Sequence, residues 1–249
     1  MVGKLLLRGM LVGIVAGLLS FGFAKLFAEP SVDRAIAFEA QMEAAKGEAP
    51  EEELVSRDVQ SSIGLLTGTV VYGAAIGGLF ALVFAYAYGR LGGLKARGTA
   101  ALVASAGFVA VILVPFIKYP ANPPSVGDPE TIGRRTILYF IMLAISVIAM
   151  FNAVVVARKL SHRLGLWNGA VITGLAYLVL VGIVQAILPT VNEVPENFSP
   201  TLLWQFRTGA LGIHLVLWCS LSLLFGYLTE RSFERRRLPG QAPYLHPTK

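Results

Sequence analysis

Two short stretches carry the side chains best suited to chemistry. One reads Lys118-Tyr119-Pro120-Ala121-Asn122-Pro123-Pro124, followed by Gly127-Asp128-Pro129-Glu130. The other reads Pro189-Thr190-Val191-Asn192-Glu193-Val194-Pro195-Glu196. Asn122, Asp128, Asn192 and Glu193 are hard oxygen donors of the kind that hold divalent cations. Prolines around them fix the backbone, so donors placed there would be held rigidly, as a selective mouth requires. A fifth candidate ligand, His214, stands in an otherwise apolar run and could bind a metal or carry a proton. Against a cation site, Lys118, Arg134, Arg135 and Arg207 fall beside the same stretches. They would repel a cation, pair with the acids, or dock an anion. Glu29 and Asp33, with Lys118, Arg135 and Arg207, complete the charged residues expected around such a mouth.

The elements that must position these groups follow from composition. Of 249 residues, 55% are apolar and only 14% charged, with a mean hydropathy of +0.66. A soluble domain carries nearer a quarter charged residues, so lipid must cover part of this chain. Six apolar stretches are long enough to cross a bilayer: 9–28, 63–88, 99–117, 137–157, 168–188 and 208–228. The fold class expected is an all-α integral membrane protein, a six-span transmembrane helix bundle. One transmembrane domain over 1–230 would be followed by a basic, disordered tail over 231–249. The first stretch is read as a retained span, because Leu26-Phe27-Ala28 makes a poor signal-cleavage site.

Charge sets the orientation. The segments around Lys4, Arg90, Arg158 and Arg231 hold 13 basic residues and two acids, and the alternate segments hold eight basic residues and 13 acids. The basic side faces the cytoplasm, which places both termini inside and three loops outside. Residues 29–62 form the longest outer loop, with nine acids, and Ser31 could cap a helix over 32–46 there. The two Pro-rich loops resemble one another, each re-entering the membrane through Arg-Thr, which hints at repeated hairpins.

Small residues recur every four positions: Gly9, Gly13 and Gly17 in the first span, then Gly64 and Gly68, and Gly73, Gly77, Ala81 and Ala85 in the second. Such faces let backbones approach closely, either inside one bundle or across a dimer. Several classes are excluded. A single cysteine, Cys219, rules out a disulfide framework and any four-Cys metal site. There is no HExxH, no GxSxG and no intramembrane carboxylate pair, so an enzyme is not expected. The basic segments suit anionic lipid rather than nucleic acid.

The strings Glu29-Pro30 through Asp33, Ala35-Ile36-Ala37-Phe38-Glu39, Leu65-Leu66-Thr67-Gly68, Lys118 to Pro124, Gly127-Asp128-Pro129, Val191 to Pro195, Leu203-Trp204 and Phe206-Arg207 resemble the CbtA family of membrane proteins, from Leu5 to about Arg231. That family is described as the proposed large subunit of a cobalt transporter. The resemblance implies a multi-pass protein of a bacterial-type inner membrane that takes up a divalent metal ion, most readily cobalt. Cobalt would be the transported ion rather than a resident cofactor. The partners implied are the lipid bilayer and a small single-span subunit with a His-rich tail; a homo-oligomer is also compatible. The other readings kept open are a non-transporting assembly subunit and a carrier of an anionic solute docked by the outer Arg and Lys residues.

Overall fold

The computed structural model describes residues 2–47 and 55–237. Four loop acids, Glu48, Glu51, Glu52 and Glu53, and the tail from 238, including His246, lie outside the described residues. All regular structure in the described residues is helical. Six helices are long and apolar enough to cross a membrane, as composition demanded. They are α1 (Val2–Lys46), α2 (Arg57–Ala87), α3 (Ala96–Lys118), α4 (Ile132–Leu164), α5 (Leu166–Ile187) and α6 (Pro200–Arg237).

The first helix differs from expectation. The predicted span 9–28 and the predicted loop helix 32–46 are one continuous helix, joined through a five-residue π-helical stretch, Ala24–Ala28. Pro30 does not break it. It stands in the first turn beyond the π stretch, where a missing N–H costs little. Ser31 is not a cap: its Oγ donates to the Ala28 carbonyl at 2.6 Å. The helix stops at Gly47, whose φ of 73° is the left-handed geometry that closes helices. Just beyond the π stretch it is tied to the start of α2 by Arg57, which pairs with Glu29 and, at 2.9 Å, with Asp33. Arg57→Ala frees both carboxylates, so hydrogen exchange over 29–46 is expected to rise while that of 9–20 stays unchanged. Equal exchange in both segments of wild type and variant would show that Arg57 anchors nothing.

α1 and α2 make the tightest contact in the molecule, and the glycine pattern explains it. A Cβ built on Gly9 would sit 2.2 Å from the Gly77 carbonyl oxygen, one on Gly13 2.1 Å from that of Gly73, and one on Gly17 2.5 Å from that of Thr69. Each step of four along α1 is thus matched by a step of four back along α2, the register of an antiparallel pair. The glycine faces are spent on one another within one chain. Gly68, expected on the same face, has nothing within 4 Å of its would-be Cβ and takes no part. Lys25, in the π stretch of α1, donates to the Ser61 carbonyl at 3.1 Å and its hydroxyl at 3.2 Å, locking the pair near its loop end.

The hydrophobic core lies toward the opposite end. Phe80, Phe84, Leu217, Trp218, Leu221 and Phe225 pack there, with Ala96, Ala100 and Ala104 letting α3 come close to α6. Phe225 meets Phe80 and Phe84 edge to face, with centroids 5.3 and 5.0 Å apart. Arg8 donates to Thr229 at 3.1 Å, and Arg97 pairs with Glu230 at 3.4 Å beneath Tyr227. α6 runs on to Arg237, so the predicted tail is helical over its first seven residues rather than irregular from 231.

α4 and α5 form a hairpin that packs chiefly on itself, joined inside by Ser146 and Tyr177 at 2.9 Å. Its main helix contact with the rest runs through α3. Pro115 interrupts the α3 ladder just past a π-helical stretch, Phe108–Leu113, and Gln185 of α5 donates to the Val114 carbonyl at 3.1 Å. The outward face of α5, with Leu175, Leu178, Val179 and Ile183, is exposed, as suits a helix bordered by hydrocarbon.

Candidate functional site

The Pro-rich loops, 119–131 and 188–199, meet over the end of the bundle. Glu193 is the centre of their contact. Thr131 Oγ1 donates to its Oε1 at 2.6 Å, and the Asp128 amide donates to its Oε2 at 2.9 Å. Arg135 Nε lies 3.3 Å from Oε2. Both carboxylate oxygens are therefore engaged by protein groups. Beside this centre, Tyr119 OH donates to the Pro189 carbonyl at 2.8 Å and Lys118 Nζ to Thr190 Oγ1 at 3.3 Å. Arg207, rising from α6, donates to Asn122 Oδ1 at 3.0 Å and to the Ala121 carbonyl at 3.3 Å. Gly127 permits the arrangement. Its φ of 131° is unfavourable for side-chain-bearing residues, and a Cβ there would lie 2.5 Å from Arg135 Nη1. The loop helix of α1 joins from the side: Ala35 and Phe38 pack with Val126, Phe198 and Leu202.

Thr131 and the Asp128 amide, with Arg135 beside them, hold the Glu193 carboxyl below the usual glutamate range, against the opposing effect of burial. A carboxylate with a lowered folded-state pKa contributes stability above its unfolded value and loses it as pH falls through the lowered folded value. The latch is therefore expected to persist through mildly acidic pH and to open only below the ordinary carboxylate range. Hydrogen exchange of 188–199 against pH checks this. Opening at or above the ordinary glutamate value would contradict it.

Beneath the loops lies a cleft of about 620 Å³ between α3, α4 and α6. It exists because α4 and α6 make little direct contact. Asn122, Asn192, Glu193 and His214 all line it, together with Arg135 and Arg207. His214 stands two turns further along α6 than Arg207, about 10 Å deeper at 1.5 Å per residue. Its ring meets Tyr72 edge to face, with centroids 5.9 Å apart. Tyr119, Thr136, Tyr139 and Phe140 are among the other residues of its walls.

The expected site residues therefore divide. Asn122, Asn192, Glu193 and His214 share one cleft with Arg135 and Arg207. Asp128 is outside its lining: its side chain accepts from the Glu130 amide at 2.9 Å and shapes the turn. Lys118 bridges the loops, and Glu29 and Asp33 are held by Arg57. Among the described residues, no three of His, Cys, Asp and Glu come together in a way that could hold a metal ion. The sequence reading missed Thr131, Thr136, Tyr139 and Phe140. Thr131 follows the Asp128-Pro129-Glu130 turn, and that position was the available signal. Tyr139 and Phe140 sit inside an apolar span and gave none.

A family model described as "Probable cobalt transporter subunit (CbtA)" matches residues 2–230. The chain belongs to the CbtA family. The match takes in all six helices, both latched loops and the cleft, so the geometry above belongs to the CbtA-type part of the chain. CbtA membership together with six spanning helices makes it a multi-pass membrane protein of a family described as a transporter subunit. No curated protein and no solved structure matches it.

Proposed function

We propose that this CbtA-family chain is the membrane-embedded subunit of a cobalt uptake system, and that the cleft beneath the latched loops is where cobalt enters. The observation that carries the reading is the convergence of Asn122, Asn192, Glu193 and His214 on a single cleft at the loop end, in a chain whose family is described as a cobalt transporter subunit. The charge distribution along the sequence supports an outward-facing cleft and cytoplasmic termini in a bacterial-type inner membrane. Glu193, Arg135 and Arg207 hold the loops over the cleft rather than forming a ligand cage, and His214 offers an imidazole at its inner end. Among the described residues there is no intramembrane carboxylate within the α3–α4–α6 walls, so the driving force would come from the ion gradient or from a partner. A small single-span subunit with a His-rich tail would gather the metal that this chain is poorly equipped to concentrate.

The experiment is accumulation of radioactive cobalt by the native host, with the gene deleted and then restored. Restored cells should take up cobalt several-fold faster than deleted cells at low external concentration. Identical uptake in both, with the protein present in the membrane, would remove cobalt uptake as the function. An assembly role is the second reading, favoured by the Glu193 latch. It predicts that loop variants lower the amount of complex in the membrane rather than uptake per molecule.

A further inference from the structure

The cleft is built for something larger and more negative than a bare cation. A divalent ion with six waters occupies about 180 Å³, taking ~30 Å³ for each water. The cleft, at about 620 Å³, is over three times that and falls in the range of small-molecule sites. Its lining carries two guanidinium groups, Arg135 and Arg207, against one carboxylate, Glu193. That carboxylate has both oxygens taken by Thr131, the Asp128 amide and Arg135. Asn122 is likewise taken, by Arg207. A hydrated ion entering here would meet a net positive field and too few donors to replace its water. The aromatic walls of Tyr119, Tyr139 and Phe140 suit the carbon skeleton of an organic molecule.

We infer that the cleft takes cobalt as a small anionic complex, with the metal already chelated by an organic carboxylate ligand. The free carboxylates of such a complex face Arg207 and Arg135, whose Nε and Nη2 already hold the loops and which offer the complex their charge and their remaining Nη1 donors. The carbon skeleton lies against the aromatic wall. The metal is directed to the deeper end, where His214 can supply one imidazole to a complex that keeps its other ligands. This inference rests on the reading of the cleft as the cobalt entry site. It goes beyond that reading by naming the form in which the metal is recognised.

Equilibrium dialysis on the detergent-purified full chain, read with radioactive cobalt and, for citrate, with radiolabelled citrate, tests it separately from uptake. The probes are cobalt in a non-coordinating buffer, the 1:1 cobalt–citrate complex, the cobalt–EDTA complex, and citrate without metal. At least one anionic complex should bind about tenfold tighter than the aquo ion, the scale of one charge-assisted pair. Arg207→Gln should remove that preference. Arg207 also holds the 119–131 loop, so a second variant guards against misfolding. Thr136→Glu puts an acid on an exposed wall position, and it should weaken binding of the complexes while strengthening that of the aquo ion. A misfolded protein cannot give opposite changes. Tightest binding of the aquo ion, equal binding of citrate with and without cobalt, or binding of no probe would overturn the inference. Preferential binding of a complex by a chain whose deletion leaves cobalt uptake unchanged would instead count against the uptake reading and leave the cleft's ligand class standing.

Discussion

Gly13→Ala is expected to destabilise the bundle by about 3 kcal/mol, the upper end of what forcing atoms into a packed interface costs. The new methyl would stand 2.1 Å from the Gly73 carbonyl oxygen, with the Gly73 carbonyl carbon at 2.8 Å and Ala74 Cα at 3.1 Å behind it. All of these are backbone atoms, which cannot swing aside as a side chain can. The helices must part, and contacts at Gly9–Gly77 and Gly17–Thr69 are lost with them. Gly22, on the same helix, is the control: nothing lies within 4 Å of its would-be Cβ. Gly22→Ala should be neutral or slightly stabilising, since alanine is the better helix former. Thermal unfolding in detergent, read by loss of monodisperse protein, checks both. Equal midpoints for the two variants would show that the α1–α2 contact is looser than described.

Glu193→Gln should lower cobalt uptake per molecule about tenfold, the scale seen when a group that orients a binding site is altered. The amide oxygen can still accept from the Asp128 N–H, and its NH2 can donate to the Thr131 hydroxyl, which has the Asp128 carbonyl 2.9 Å away as its own acceptor, so what the change removes is the negative charge. Arg135 loses its charged partner and is left facing the cleft. The amount of protein in the membrane should change little. The aromatic core of Phe80, Phe84 and Phe225 lies at the other end of the bundle and does not depend on the latch. A parallel fall in protein level and uptake would favour the assembly reading. Unchanged uptake would remove Glu193 from any role in entry.

The six helices were legible because hydropathy over 20 residues is a strong signal, and lipid forces every backbone group of a spanning segment to be satisfied within it. The four-residue glycine spacing also announced a close contact. It could not say whether the partner was another helix or another copy, since a backbone carbonyl from either fits the same face. Gly68 shares the spacing and makes no contact, because its position has rotated away from α1. The extension of α1 through Pro30 was misjudged as a boundary. A π-helical stretch absorbed the proline, and such stretches have no local sequence mark.

The site was half legible. The loop donors were recognisable by residue type, and the cleft does gather Asn122, Asn192, Glu193 and His214. What residue types cannot give is pairing. Arg135 and Arg207 were read as groups that would repel a cation, pair with the acids or dock an anion; three-dimensional placement puts Arg135 against Glu193 and Arg207 on Asn122. The aromatic wall was invisible for another reason. Inside a span, a tyrosine that lines a cleft and one that faces lipid look the same in sequence.

The central claim is that cobalt passes through the cleft under the loops, and blocking it is the most direct test. In a Cys219→Ser background, Thr136→Cys places the chain's one thiol on the cleft wall. Intact cells are treated with a bulky, membrane-impermeant maleimide and cobalt uptake is then followed. The account predicts labelling from outside and a fall in uptake to the level of deleted cells, with untreated variant cells still active. Full labelling with undiminished uptake would contradict it.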